Sequence, residues 1–273
     1  MLRSLVGSEM CIRDSSTMSF SNAEWASLSS ALRLRRESER DIERSLPAAE
    51  LLDADTCTAL LDRLGPVILS PSRRITASLL GKRQSFLLTG ACLYAMSAYD
   101  KGLELSLDNT FIEYGHDDGL WTSSLPLRSL AVSRPEPGAR DAWREAVAGQ
   151  LFAGLLQPLW ESFYRLTGVS RRILWENTAV RVYSLYERRL AKLECAATRQ
   201  RCAEDFRWLT IDAPGSLFGL DYNPLQHFNR PLTLLDDGAK AIRFRRTCCF
   251  YYQASDPVEY CSTCPLIRPK APR

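Results

Sequence analysis

The chain has 273 residues, of which 45% are hydrophobic and 25% charged, and its net charge is +3. This composition is that of a globular protein with a sizeable core, arranged as one large domain or two small ones. The balance of 35 basic against 32 acidic residues argues against a nucleic-acid-binding protein, which needs a concentrated basic surface. No apolar run reaches the length of about 20 residues that a transmembrane helix requires.

The first 17 residues show no periodicity that would join them to a core. Residues 4–15 resemble a translated sequencing-adapter read-through, so we predict a non-native leader over 1–17 and a natural start at Met18. The leader lacks the continuous apolar region of a secretory signal, and we therefore expect a cytoplasmic protein. Thiols stay reduced in that compartment, so nine cysteines indicate metal or redox chemistry rather than a disulfide framework.

The next segments have helical patterns. A polar, charged helix is predicted over 21–44, with Ser21 or Asn22 as its N-cap, and a second over 55–64, ended by a Gly-Pro pair. A longer helix follows Pro71 and ends near Tyr99. Its apolar run is typical of a buried core helix.

Strand signals come next. Residues 103–127 alternate in polarity around the Gly-His-Asp-Asp-Gly loop at 115–119, which predicts a β-hairpin. The Pro- and Gly-rich stretch 134–138 predicts a loop.

Two long helices, 139–166 and 170–202, are predicted on either side of Gly168. Residues 210–240 have an irregular pattern, and 241–246 predict a strand. The fold class is therefore α+β, mostly helical, with an antiparallel β-hairpin or small sheet and a C-terminal cysteine-rich hairpin. We place a mostly helical domain at 18–237 and a cluster-binding segment at 238–273.

The second of the two long predicted helices, 170–202, has one apolar face. A buried stripe is predicted from Trp175, Ala179, Val182, Tyr186, Leu190, Leu193 and Ala197.

Four cysteines near the C-terminus, Cys248, Cys249, Cys261 and Cys264, have the spacing C-C-x11-C-x2-C. Thiolates are soft ligands that select zinc, copper(I) or iron–sulfur clusters. A turn centred on Ser255 would pair Cys249 with Cys261, because each lies six residues from that centre. Both adjacent cysteines can face one centre only if the backbone leaves strand geometry. Spacing alone leaves an iron–sulfur cluster and structural zinc open, although adjacent cysteines suit a zinc knuckle poorly.

The cysteine segment resembles the C-terminal signature of the ferric-siderophore reductase family known as FhuF, a Cys-Cys pair, a spacer and then Cys-x2-Cys-Pro-Leu. Residues 246–249 and 261–266 carry this match, with a spacer one residue longer. Residues 174–179 are similar to a second family stretch, in which Leu-Trp is followed by a small residue and then Asn. Glu176 stands here in place of the small residue.

The resemblance implies a [2Fe-2S] cluster on the four matched cysteines. The implied reaction is one-electron reduction of siderophore-bound Fe(III), which releases Fe(II). It implies a ferric siderophore as partner and a ferredoxin or flavoprotein reductase as electron donor, in the cytoplasm or peripherally at the inner membrane. Two alternatives stay open: a structural zinc module in a non-redox siderophore- or partner-binding protein, and an electron carrier that serves another acceptor.

Further residues near the motifs are candidates. Arg243, Arg245 and Arg246 flank the cysteines, and we predict that they attract an anionic siderophore complex and raise the cluster potential. The alternative is an ordinary exposed strand face. Asn177 inside a predicted helix indicates a specific hydrogen bond, or else a surface residue. His227 could replace one thiolate, but a loop or core histidine is the more ordinary interpretation. The isolated cysteines are expected to be small buried hydrophobes, namely Cys57, Cys92, Cys195 and Cys202.

Overall fold

A computed structural model describes residues 19–235, 238 and 240–269, so the predicted leader lies outside the described residues. The fold is mostly helical with several two-stranded sheets, as predicted. The helices are α1 (Asn22–Ala31), α2 (Ala54–Val67), α3 (Arg73–Tyr99), α4 (Arg140–Gly149), α5 (Gln157–Thr167), α6 (Arg171–Ser184), α7 (Ala196–Arg207) and α8 (Pro224–His227).

Helix α3 runs through the centre of the molecule. Ser72 caps its N-terminus by accepting a hydrogen bond from the Ile75 amide, and it ends at Asp100 in the left-handed conformation. Most of its side chains are buried, and α2, α6 and α7 pack around it. This confirms the predicted core helix. Among the described residues, no helix is long and apolar enough to cross a membrane.

Helix α1 is much shorter than the predicted helix over 21–44. Ser21 and Glu24 form a capping box at its start, which confirms the N-cap. The helix stops at Ala31 because Arg33 is left-handed, with φ of 61°. The buried Leu34 then begins a strand instead of a further helical turn.

Strand pairing differs from the predicted hairpin over 103–127. Only β5 (His116–Asp117) and β6 (Leu120–Trp121) form a local hairpin, whereas β4 (Phe111–Glu113) pairs with β2 (Ser45–Pro47) and β7 (Leu125–Leu127) pairs in parallel with β1 (Leu34–Arg36). Strand β1 lies in the segment that was predicted to be helical, and β2 follows directly after it, since alternation within a strand does not identify its neighbour. The strands are β1 (Leu34–Arg36), β2 (Ser45–Pro47), β3 (Gly102–Leu103), β4 (Phe111–Glu113), β5 (His116–Asp117), β6 (Leu120–Trp121), β7 (Leu125–Leu127), β8 (Val132–Ser133), β9 (Thr233–Leu235) and β10 (Lys240–Ile242).

The two long helices of the second half contain π-helical segments. Residues Gln150–Leu156 join α4 to α5, and Leu185–Arg189 extend α6. The predicted helix to residue 202 is wrong, because the chain leaves helical geometry at 193–195 before α7 begins. The Arg199 guanidinium donates to the two carbonyls freed at this break. The predicted stripe is therefore buried as far as Leu190, whereas Ala197 is exposed.

Helix α2 also ends later than predicted. Pro66 lies inside its last turn, and the helix continues to Val67. The Gly-Pro pair therefore precedes the end of the helix by only a residue or two.

Candidate metal centre

The cysteine segment folds back on itself without paired strands, since the strand predicted over 241–246 ends at Ile242. A turn at Ser255–Pro257 reverses the chain, as predicted. It brings the Cys249 Sγ to 3.9 Å from the Cys261 Sγ, which confirms the predicted pairing. Burial raises the pKa of the Cys248 thiol, and the neighbouring charges of Cys264 and Cys249 raise it further. The segment therefore brings the Cys249 and Cys261 thiols into contact and Cys248 close to the other candidate ligands.

Irregular backbone around Cys248 and Cys249 makes this arrangement possible. Phe250 is left-handed, with φ of 66°, and its amide donates to the Cys248 Sγ at 3.3 Å. The Arg245 amide donates to the Thr263 carbonyl at 2.9 Å, which ties the two arms of the segment together. The backbone leaves strand geometry at the adjacent cysteines, as predicted.

Side chains of helices α3 and α6 form hydrogen bonds with the cysteine segment. The Ser78 hydroxyl of α3 donates to the Cys249 carbonyl at 2.9 Å. Asn177 of α6 is fully buried, and its amide group donates to the Ser78 carbonyl at 3.0 Å. Its Oδ1 accepts from Arg245 Nη2 at 2.7 Å. The hypothesis of a specific hydrogen bond at Asn177 is confirmed, and the surface alternative is wrong.

Glu176 anchors the backbone that leads into the adjacent cysteines. Its carboxylate is 1% exposed and accepts from the amides of Arg246 and Thr247 at 2.6 and 2.7 Å. The Thr247 hydroxyl donates to it as well, and Arg245 Nε lies 3.7 Å away. The residue that departs from the family stretch thus contacts the cysteine segment directly. Sequence reasoning missed this role, because the two motifs lie about 70 residues apart and only the fold brings them together.

Positive charge surrounds the buried thiol of Cys249. Lys82 Nζ lies 3.5 Å from its Sγ. The hydrogen bond from Cys261, together with the charges of Lys82 and Arg245, lowers the pKa of Cys249 to about 4. Metal ligands must be thiolates, so these cations favour the form that binds metal. Sequence reasoning also missed Lys82. Its signal was a Lys-Arg pair in the middle of an otherwise buried helix.

Two family models match the chain. The model described as ferric iron reductase FhuF-like transporter matches residues 78–214, and the FhuF 2Fe-2S C-terminal domain matches residues 245–266. The chain belongs to the FhuF-like family. The first match begins at Ser78 and includes Glu176, and the second contains all four cysteines, so both halves of the site fall within the matched regions. No curated protein matches the chain.

The three flanking arginines have different environments. Arg245 is 3% exposed and donates to Asn177, so its side chain does not present an exposed charge, and its predicted effect on an anionic complex and on the cluster potential stays a prediction. Arg243 forms a bidentate ion pair with Glu187, with both distances 2.8 Å, which offsets its charge. Arg246 is exposed. The expected common cationic face is therefore absent, because the chain twists out of strand geometry after Ile242.

His227 and two tyrosines beside the cysteines take structural positions. Tyr252 and Tyr260 stack across the turn with their ring centroids 5.3 Å apart, and this contact closes the segment. His227 is exposed on α8 and packs edge-on against Tyr222 and Phe228. Within the part of the chain that the structure describes, no three His, Cys, Asp or Glu side chains are grouped as a site for one metal ion.

The donor set bears on which metal group the thiols fit. Four cysteine thiolates can hold either one zinc ion or an iron–sulfur cluster. The Cys249 and Cys261 sulfurs, 3.9 Å apart, have a separation that suits two ligands of the same metal ion. The match of the 2Fe-2S domain model to residues 245–266, which contain all four cysteines, favours the iron–sulfur cluster.

Proposed function

We propose that this protein is a ferric-siderophore reductase of the cytoplasm, which reduces siderophore-bound Fe(III) by one electron and so releases Fe(II). Cys248, Cys249, Cys261 and Cys264 would hold a [2Fe-2S] cluster. The proposal is carried by the four cysteines, with the Cys249 and Cys261 sulfurs 3.9 Å apart, within the segment that the 2Fe-2S domain model matches. A bound cluster would supply a centre that accepts and donates single electrons.

The residues around the thiols would stabilise such a centre. Glu176 and Asn177 fix the backbone and the Arg245 side chain from α6. Lys82 and Arg245 offset the negative charge that four thiolates would bring. Cys249 and Cys264 are 1% and 2% exposed, so water would be largely excluded from this side. Hydrogen bonds, charge and exposure are the variables by which a protein adjusts a cluster potential.

Reduction explains how iron would leave the chelate. Hydroxamate and catecholate oxygens are hard donors that hold Fe(III) tightly, whereas Fe(II) is softer and less charged. The sequence contains no G-x-G-x-x-G dinucleotide fingerprint. Electrons would therefore come from a partner protein, and a ferredoxin or flavoprotein reductase has the required one-electron chemistry.

Metal analysis of anaerobically purified protein tests the cofactor. We expect about two irons and two acid-labile sulfides per chain, with a half-spin paramagnetic signal that appears on reduction by dithionite. Cys264→Ser should lose the visible spectrum, whereas Cys195→Ser, at an exposed thiol outside the site, should keep it. One zinc without sulfide would refute the cluster and favour the structural zinc module.

The activity needs its own assay. Chemically reduced protein mixed with a ferric siderophore should yield Fe(II), captured by a coloured Fe(II) chelator, in stoichiometric amount per cluster. An intact cluster that transfers no electron to hydroxamate or catecholate Fe(III) complexes would refute the reductase. It would leave an electron carrier for another acceptor.

A further inference from the structure

A cavity of about 710 Å³ lies beside the cysteine segment, between α3 and the β5–β6 hairpin. Its volume falls within the range of about 300–1,000 Å³ typical of small-molecule sites. Helix α3 lines it with Lys82 and Phe86, the hairpin with Trp121, and the cysteine segment with Tyr251. The cavity therefore joins the region of the first family match to the segment that holds the cysteines.

The cavity has a cationic wall. Lys82, Arg83 and Arg181 line it, against Asp256 and Glu259 on the turn. Both acids belong to the turn of the cysteine segment, whereas the three cations project from α3 and α6. An anionic group that faced the two helices would meet uniformly positive charge.

Arg181 is the most unusual of these cations. Its Nε is buried and has no hydrogen-bond partner among the described residues. Burial lowers the pKa of Arg181, and the neighbouring charge of Arg245 lowers it further. Burial, Arg33 and Arg181 lower the pKa of Arg83 to about 10. Partly buried cations that repel one another are costly, and an anion between them would offset the repulsion.

Apolar side chains form the rim of the cavity. Leu69 lines the cavity and is 60% exposed, and Val67 lines it and is 51% exposed. Leu69 follows the end of α2 and is left-handed, with φ of 55°, a conformation uncommon for a large side chain. The opening thus suits a ligand with an apolar periphery and a charged centre.

A single side chain connects the cavity to the thiols. Lys82 lines the cavity while its Nζ lies 3.5 Å from the Cys249 Sγ and 5.3 Å from the centroid of the Tyr251 ring. An occupant of the cavity would therefore lie next to the candidate cluster ligands. Arg246, by contrast, is exposed and does not line this cavity.

We propose that this cavity is the substrate site, and that it binds anionic iron(III) chelates through Lys82, Arg83 and Arg181. This inference rests on the proposed reductase function and deepens it. It moves the expected substrate contacts from Arg243, Arg245 and Arg246 to the side chains that line this cavity, and it specifies a chelate with net negative charge.

A binding measurement without electron transfer tests the site. The probe is the gallium(III) complex of a synthetic hexadentate tris-catecholate, which carries a charge of about −3 and is not reduced under these conditions. Equilibrium dialysis of the cluster-loaded protein with this complex, followed by gallium analysis, gives the dissociation constant. Quenching of tryptophan fluorescence gives a second readout, because Trp121 lines the cavity.

Two pairs of variants separate the cavity from general charge effects. Arg181→Gln should weaken binding by about tenfold or more, the usual effect of losing a charged contact. Arg172→Gln removes the same charge from an exposed position on the same helix and should change binding by less than about twofold. Leu69→Asp should weaken binding by about fivefold relative to Leu69→Asn, because both residues tolerate the left-handed conformation and differ by one negative charge.

The outcomes are distinguishable. Equal affinity in wild-type protein and in both Arg181→Gln and Leu69→Asp would overturn the cavity assignment. So would wild-type protein that reduces ferric chelates yet fails to bind the gallium complex, and the proposed function would then stand. Tighter binding of the neutral gallium tris-hydroxamate than of the tris-catecholate would overturn the preference for anions. A chain that binds the complex in the cavity but reduces no ferric chelate would refute the proposed function instead.

Discussion

Replacing Glu176 with alanine is expected to release the backbone that leads into Cys248 and Cys249. The Glu176 carboxylate accepts two backbone amides and the Thr247 hydroxyl, at a position that is 1% exposed. Each buried donor left without a partner costs about 1–3 kcal/mol. The change also leaves Arg245 Nε without the nearby carboxylate.

The combined loss is about 3–5 kcal/mol, the usual effect of removing one member of a buried charged pair. Since about 1.4 kcal/mol corresponds to a factor of ten, local opening of the segment should become roughly a hundredfold to a few thousandfold more frequent. Helix α6 itself should persist, because the other faces of the helix are unchanged.

Hydrogen exchange followed by mass spectrometry measures this opening directly on peptides that contain Arg246 and Thr247. The same samples, incubated with an iron chelator, give the rate at which visible absorbance is lost. We expect both rates to rise together in Glu176→Ala. The fold-change in exchange should match the estimated opening constant within an order of magnitude.

Glu187→Ala is the matched control. Glu187 lies on the π-helical extension of α6 and also pairs with an arginine of the C-terminal region, but its side chain is 38% exposed. An exposed pair contributes about 0–1 kcal/mol, so exchange should rise less than about fivefold. If Glu176→Ala exchanged no faster than Glu187→Ala, the argument that Glu176 anchors the segment would be refuted.

Two further expectations concern residues outside the site. Neighbouring hydrogen bonds lower the pKa of the exposed Cys195 thiol, while burial raises that of Cys92 to about 12. At pH near 8, iodoacetamide should therefore modify Cys195 at least about a hundredfold faster than Cys92. Peptide mapping measures both rates, and equal rates would contradict the fold at Cys92. A Cβ at Gly215 would lie 2.6 Å from the backbone nitrogen of Tyr222. Gly215→Ala should lower the free energy of unfolding by about 1–3 kcal/mol. Gly149→Ala should not, because its Cβ would meet only an ordinary contact with the Leu217 side chain at 3.6 Å, and thermal unfolding compares the two variants.

The exposure of Cys195 departs from the expectation of a buried hydrophobe. The residue falls in the break between α6 and α7, which the continuous helical pattern did not predict. Cys57, Cys92 and Cys202 are buried, as expected.

Local chemistry determined the features that the sequence alone predicted. The spacing of the four cysteines, the Ser-Asp-Pro turn and the requirement for irregular backbone between Cys248 and Cys249 all follow from a few adjacent residues. The apolar run of α3 likewise predicts a buried helix, because no exposed helix can be apolar on nearly every face. The division between a helical domain at 18–237 and a cluster-binding segment remains a prediction.

Tertiary structure decided the features that depend on residues far apart in the chain. The partner of β7 comes from a segment whose local pattern favoured a helix, and long-range burial of Leu34 outweighed that preference. The roles of Glu176 and Lys82 became visible only when α6 and α3 were packed under the cysteine segment. Arg245 has the sequence character of a surface residue, yet its burial follows from the position of Asn177. The sequence shows which side chains are available, and only the packing of the fold determines which of them lie together in one site.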